Sequence, residues 1–356
     1  MDEDQPAMIR AKETVESLEA YSAPLEGRRG MLRLDFNENT LGPSPKVIEA
    51  IRSMPVEEYA IYPEYNELQR VAAKFFDVKR EEIGLFNGAD AAIRAVFDAF
   101  GEPGTVFLTT APTFGYYQPC AAQQGMVVRG IPYPETLEFP LDAFREALAD
   151  KPRIAFICNP NNPTGTMLDR ETILELAAGC SSTLFVIDEL YATFTGVTVL
   201  PESLALPNLL VLRSLSKSSG LAALRLGFAI GAPSLVDRVS RVTGPYDINS
   251  LAVRAGIAAM SGEDEHTARY IDEVARAKAF TLEELEKRGV RYFADGGNYL
   301  LVFIGEELSH VVDGLRGEGI LVRSMAGKPV IDGSFRLTIG TREQMERFFG
   351  AFDRIR

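Results

Sequence analysis

The sequence predicts a doubly wound α/β domain with a large, mostly parallel sheet, joined to a smaller α+β domain. Three observations predict it. From about residue 45 to 231, short and nearly unbroken apolar runs alternate with helical patterns, as strands covered on both faces require. After about residue 250 that alternation stops, and a long amphipathic stretch precedes short strand-like and helix-like pieces. The chain has 356 residues, more than the roughly 250–300 over which one hydrophobic core usually grows. We expect an N-terminal arm over 1–44 that belongs with the small domain, a large domain over 45–249 and a small C-terminal domain over 250–356.

Each element has its own warrant. The runs 106–108, 154–158, 184–187, 209–212 and 226–230 are rich in Val, Ile, Leu and Phe and read as sheet strands. Between them, 90–100, 141–149 and 170–178 carry apolar residues at helical spacing and read as crossovers. Further on, 265–288 reads as one amphipathic helix, followed by strand-like 298–304, helix-like 306–317, and strand-like 319–323 and 335–339. Thr341 and Gln344 have the spacing of a capping box ahead of Met345, Phe348, Phe349 and Phe352, a single helical face. Roughly the first 30 residues have a weak pattern and read as an arm plus a strand.

Composition narrows the function. There are 37 Lys and Arg against 50 Asp and Glu, a net charge of −13, with no basic run. That balance argues against a nucleic-acid or anionic-membrane surface. At 46% hydrophobic and 24% charged, the chain is that of an ordinary globular protein rather than a disordered one. Cys120, Cys158 and Cys180 are too few and too scattered for a disulfide framework or a zinc site. His266 and His310 lack the neighbours of a metal ligand or a triad base, so proton transfer falls to Lys, Tyr or a carboxylate. The N-terminal stretch MDEDQPAMIRAKET has neither a basic n-region nor an apolar h-region, and no apolar run approaches the ~20 residues of a membrane span. We expect a cytoplasmic protein.

In an open parallel sheet, ligands bind beyond the carboxyl ends of the strands. Three polar clusters fall there: NPNNPTG from Asn159, DELY from Asp188 to Tyr191, and SLSK from Ser214 to Lys217. Singly they read as a proline-fixed turn, a helix N-cap and a surface lysine. Their order, each following a separate strand, instead gathers a carboxylate, an amine, an amide and a phenol in one crevice.

NPNNPTG, DELY and SLSKSSGLAALRLG, in that order, resemble the fold-type I pyridoxal-phosphate enzymes of the class I/II aminotransferase group, and within it the histidinol-phosphate aminotransferases. LDFNENTLGPSP, IYPEYNELQRVAAKFF, FNGADAAIRAVFDAF, APTFGYY, GNYLLVFI and FRLTIGTREQMERF extend the resemblance over nearly the whole chain. It implies Lys217 as the lysine that carries pyridoxal 5'-phosphate as a Schiff base and shuttles the proton. It implies Asp188 against the pyridine nitrogen, Tyr191 and Asn162 on the ring O3′, and Phe114 stacked on the ring. For the phosphate it implies Gly88, Ala89 and Asp90 at a helix start, Ser214, Ser216, Arg225, and Tyr62 from the neighbouring subunit of a homodimer with a shared site. For the substrate it implies Arg336 on a carboxylate, with Asn37 nearby. Arg323 would join Arg336 on a substrate phosphate, and Tyr21 would close over it. The chain departs from the usual pattern at Asn39-Thr40, in SLSKSSGLAAL and at Gly296-Gly297, which leaves the cofactor intact and bears on the substrate.

The implied partners are therefore small molecules: an amino acid or amino phosphate and a 2-oxo acid. Within this chemistry an aromatic amino-acid transaminase competes with histidinol phosphate as substrate choice. A threonine-phosphate decarboxylase is the competing lyase, and a non-catalytic cofactor-binding module stands as the remaining alternative.

Overall fold

The computed structural model describes residues 9–18, 24–262 and 264–356. Among these, the strands in chain order are β1 (Leu32–Leu34), β2 (Ile83–Asn87), β3 (Val106–Ala111), β4 (Val127–Pro132), β5 (Ile154–Cys158) and β6 (Leu184–Asp188). They continue with β7 (Leu209–Ser214), β8 (Leu226–Gly231), β9 (Arg291–Phe293), β10 (Tyr299–Phe303), β11 (Ile320–Ser324) and β12 (Ser334–Thr338). Two sheets result, ordered β2-β8-β7-β6-β5-β3-β4 and β1-β11-β12-β10-β9.

In the larger sheet β4, β3, β5, β6 and β7 run parallel. The run at 226–230, expected among the parallel strands, is β8 and lies antiparallel to both β7 and β2. A strand buried on both faces is apolar in either direction, so its composition carries no sense of polarity. The alternation along β5 and β6 shows the double winding directly. Ala155, Ile157, Phe185 and Ile187 face one apolar cluster, while Ile154, Phe156, Leu184 and Val186 face the other. Helices Gly88–Phe100 and Arg170–Gly179 cover the sheet as the sequence suggests, within a residue or two at their ends. The edge strands β2 and β4 are additions; β4 is broken by polar Arg129 and largely solvent-facing, and β2 ends on exposed Asn87.

The smaller sheet is antiparallel across β9, β10, β12 and β11, with β1 added in parallel at its edge. Helices Glu265–Lys287 and Arg342–Ile355 pack over it around Tyr270, Leu285, Phe335, Phe348 and Phe352. The capping box at Thr341 and Gln344 is formed in both directions. Three expectations are adjusted. The N-terminal strand lies at Leu32–Leu34, and ahead of it the described residues hold one helical turn, Glu13–Glu16. The 306–317 segment splits into a 3-10 turn, Gly305–Glu307, and a helix, Leu308–Gly317. Helix Ser250–Met260 buries Ala252, Ala255 and Ala259 in the larger core, so a division at 249/250 falls ahead of a helix that packs with the first sheet. Among the described residues no helix is long and apolar enough to cross a membrane.

Candidate active site

The carboxyl ends of β5, β6 and β7 open on a cavity of about 450 Å³, which Arg323 of β11 and Arg336 of β12 in the smaller sheet also line. Asp188 reaches it because β6 is buried at every position and ends on that residue, delivering a carboxylate into an apolar interior. Its Oδ2 accepts a hydrogen bond from Tyr117 Oη at 2.5 Å, and its Oδ1 accepts from the Leu190 N–H at 3.2 Å. Burial pushes the carboxyl up to about 6, against the hydrogen bonds from Tyr117 and Leu190, and against the Lys217 charge. Lys217 enters from the turn after β7, and its Nζ donates to the Phe36 carbonyl at 2.9 Å. Burial, then the Arg336 charge, lowers the amine from 10.5 to about 8.

Tyr191 sits between these groups and the smaller sheet. Its hydroxyl accepts from Asn37 Nδ2 at 3.0 Å and Asn162 Nδ2 at 3.4 Å, and its ring meets Tyr299 edge-on at 4.9 Å. Burial holds the phenol well above its ordinary value, so it remains a donor near neutral pH. Asn37 adopts a left-handed backbone, φ 55°, which asparagine tolerates better than most residues. Thr338 Oγ1 accepts from the Asn37 N–H at 3.0 Å and donates to Asn37 Oδ1 at 3.1 Å, tying Asn37 to the end of β12.

One end of the cavity is built for an anion. Gly88 opens helix Gly88–Phe100 with φ +78°, and a Cβ there would lie 2.5 Å from Arg225 Nη2. The helix start offers unpaired N–H groups, and Ala89, Asp90, Ser214, Ser216 and Arg225 line the space in front of it. Arg225 is itself left-handed at φ 57° and is held by Asp90 Oδ2 at 2.6 Å. Non-glycine residues pay about 1–2 kcal/mol for that conformation, which survives only where the surroundings impose it.

The opposite end holds the arginines. β11 and β12 are antiparallel neighbours in which Arg323 and Arg336 are Cα partners, so both side chains leave the same face. Both line the cavity. Arg336 is 8% exposed, donates to the Asp35 carbonyl at 2.6 Å and bonds to Asn162 Oδ1. Arg323 lies 5.7 Å from the Phe36 ring centroid and has no carboxylate within ion-pair distance among the described residues. Lys328, in the β11–β12 connection, lines the same cavity.

Of the residues singled out from sequence, Phe114 also lines the cavity, its ring edge-on to Tyr117 at 5.5 Å. Tyr62 is not brought in: it is 70% exposed and stacked on Tyr246 at 4.0 Å. Tyr21 lies outside the described residues. The histidine rings bond to the Gly42 and Ile355 carbonyls and do not line the cavity. Two residues escaped sequence reading. Tyr117 is the second tyrosine of APTFGYY, a segment already singled out, but nothing local says which ring turns inward. Lys328 in AGKPVIDG reads as a turn, and only the hairpin geometry brings it to the cavity.

Residues 29–352 match the family model described as aminotransferase class I and II. The chain is 33% identical over 354 residues to the histidinol-phosphate aminotransferase of Desulfitobacterium hafniense, spanning 96% of this chain and 95% of that one. It is 31% identical over 374 residues to the enzyme of the same name from Moorella thermoacetica, at 99% and 95% coverage. Among solved structures it resembles histidinol-phosphate aminotransferase from Sinorhizobium meliloti in complex with pyridoxal-5'-phosphate, with a TM-score of 0.89, 21% identity and 98% of each chain covered. At that identity the structural likeness speaks for the fold.

Proposed function

Since the chain belongs to the class I and II aminotransferases, we propose that it is a pyridoxal-phosphate-dependent transaminase. Its proposed reaction takes the amino group of histidinol phosphate to 2-oxoglutarate, giving imidazole acetol phosphate and glutamate, in histidine biosynthesis. When bound, pyridoxal phosphate supplies an aldehyde that takes up the amine and a conjugated ring that draws electron density from the adjacent carbon. The residues present fit it. Gly88 leaves room where a Cβ would meet Arg225, and the helix start, Ser214, Ser216 and Arg225 would hold its phosphate. Asp188, a buried carboxylate with no ion-paired cation among the described residues, suits a protonated pyridine nitrogen.

The remaining roles follow from the chain's own groups. Lys217, lowered to about 8, has an appreciable neutral fraction near neutral pH and is able to take a proton at Nζ and return it. Tyr191, kept protonated by burial, would donate to the ring oxygen, with Asn37 and Asn162 setting its hydroxyl. Phe114, which lines the cavity, would cover one face of the ring.

One observation carries the substrate: Arg323 faces the cavity directly opposite Arg336. Two guanidiniums, with Lys328 on the same wall, match a phosphate dianion better than a single carboxylate. Glutamate, arriving at the same place, needs only Arg336. The exposed Tyr62, beside exposed Tyr59, Ile61 and Tyr246, supports a homodimer in which Tyr62 serves the neighbouring copy's cofactor phosphate. We assign the enzyme to the cytoplasm.

Borohydride reduction and peptide mapping should locate a pyridoxyl group on Lys217. A panel of glutamate, histidinol phosphate, phenylalanine and threonine phosphate then separates the substrates. Turnover of phenylalanine with indifference to histidinol phosphate would make this an aromatic transaminase, and carbon dioxide from threonine phosphate would make it a lyase. An adduct on another lysine would overturn the site itself.

A further inference from the structure

Tyr117 lies beneath the cavity floor, fully buried, at the first turn of helix Tyr117–Gln123. Its ring is wedged between Phe156, 4.8 Å away, and Phe114, 5.5 Å away and edge-on. That packing leaves the hydroxyl little freedom, and it points at Asp188 Oδ2 from 2.5 Å. The second carboxylate contact, from the Leu190 N–H, is longer at 3.2 Å. The other titratable groups around Asp188 have partners of their own: the Cys158 thiol, its register partner on β5, meets the Tyr117 hydroxyl and the Pro160 carbonyl, Lys217 bonds to the Phe36 carbonyl, Tyr191 accepts from Asn37, and Asp90 pairs with Arg225. Tyr117 is therefore the side chain that sets the orientation of this carboxylate.

We propose that Tyr117 is a positioning residue that acts through Asp188, holding the carboxylate ionised and aimed for the cofactor's ring nitrogen. The proposal rests on the reading of Asp188 as the partner of that nitrogen. The physical reason is an opposition of terms. Burial without a cation favours the neutral carboxyl, and a phenol that donates to the anion favours the charged one. The same phenol cannot help a neutral acid as much, because its hydrogen already points at the oxygen. Phe114 extends the device upward, since the ring that clamps Tyr117 also lines the cavity.

The test measures pyridoxal phosphate affinity by equilibrium dialysis in a Lys217→Ala background, where no covalent link hides the non-covalent part. Tyr117→Phe keeps the ring and removes one O–H. Loss of a hydrogen bond to a charged group should weaken binding roughly tenfold or more, with the pH midpoint for binding moved upward. In an Asp188→Asn background the same change should have little further effect. An equal loss in both backgrounds would mean a packing role, and unchanged affinity and midpoint would remove any role for Tyr117. If Tyr117→Phe fails to fold, 3-fluorotyrosine placed at 117 keeps the shape and makes the phenol more acidic. The midpoint should then move downward, and a midpoint that stays put overturns the proposal. Failure of the parent reading looks different: no binding in Lys217→Ala, and no adduct on Lys217 in the unaltered protein.

Discussion

Replacing Arg323 by alanine removes one of two guanidiniums that face each other across β11 and β12. The structure gives them different duties. Arg336 is buried and held by the Asp35 carbonyl and Asn162, so it is fixed before any substrate arrives. Arg323 is half-buried, lies over Phe36 and has no ion-paired carboxylate among the described residues, so its charge is available to a second anionic oxygen. A charge-assisted contact is worth ~1.5–3 kcal/mol, and partial exposure places this one near the lower end. The KM for histidinol phosphate should therefore rise roughly ten- to thirtyfold in steady-state assays. That for glutamate should change less than about threefold, because a carboxylate is satisfied by Arg336. A second consequence has the opposite sign. Like charges directly opposite in an antiparallel pair destabilise by ~0.2–1 kcal/mol, so Arg323→Ala should unfold slightly later on heating, by about 1–2 °C. Equal losses for both substrates, together with a lower melting temperature, would show that Arg323 packs the small domain and does not select the substrate.

Three further outcomes follow from the cofactor end. Lys217 is lowered to about 8, so the rate of pyridoxal phosphate attachment to cofactor-free protein should climb with pH and level off just above 8; a climb continuing towards ~10.4, the ordinary lysine value, would refute the lowered amine. The same shift fixes a stability trend: between about 8 and ~10.4 the unfolded chain holds this proton more tightly, so cofactor-free protein should gain stability as pH rises through that window. Gly88→Ala must place a Cβ 2.5 Å from Arg225 Nη2 at φ +78°. It should cost ~1 kcal/mol or more of stability and weaken cofactor binding over tenfold in dialysis; wild-type affinity would exclude Gly88 from the phosphate cradle.

Much of this molecule is written locally. The apolar runs at 154–158 and 184–187 announce buried strands because both faces of such strands meet core. Thr341 and Gln344 announce a helix start because a capping box is satisfied within three residues. The three polar clusters after strands declare a site because strand ends in an open sheet converge. What sequence could not carry were relations between distant segments. The direction of β8 was invisible, since burial on both faces looks alike in either sense. The expected meeting of Arg323 with Arg336 hung on the two strands being neighbours, which only the hairpin register settles, and the same hairpin brings the unanticipated Lys328 to the cavity. The bond from Tyr117 to Asp188 spans 71 positions and exists because Phe114 and Phe156 turn that ring inward. The sequence by itself determined the central strands and the main helices, the family and the chemistry of the cofactor end, because those reside in short-range patterning. The tertiary structure alone decided which charges face one another and which carboxylate is held by which phenol, because side-chain electrostatics depends on distances that only packing sets.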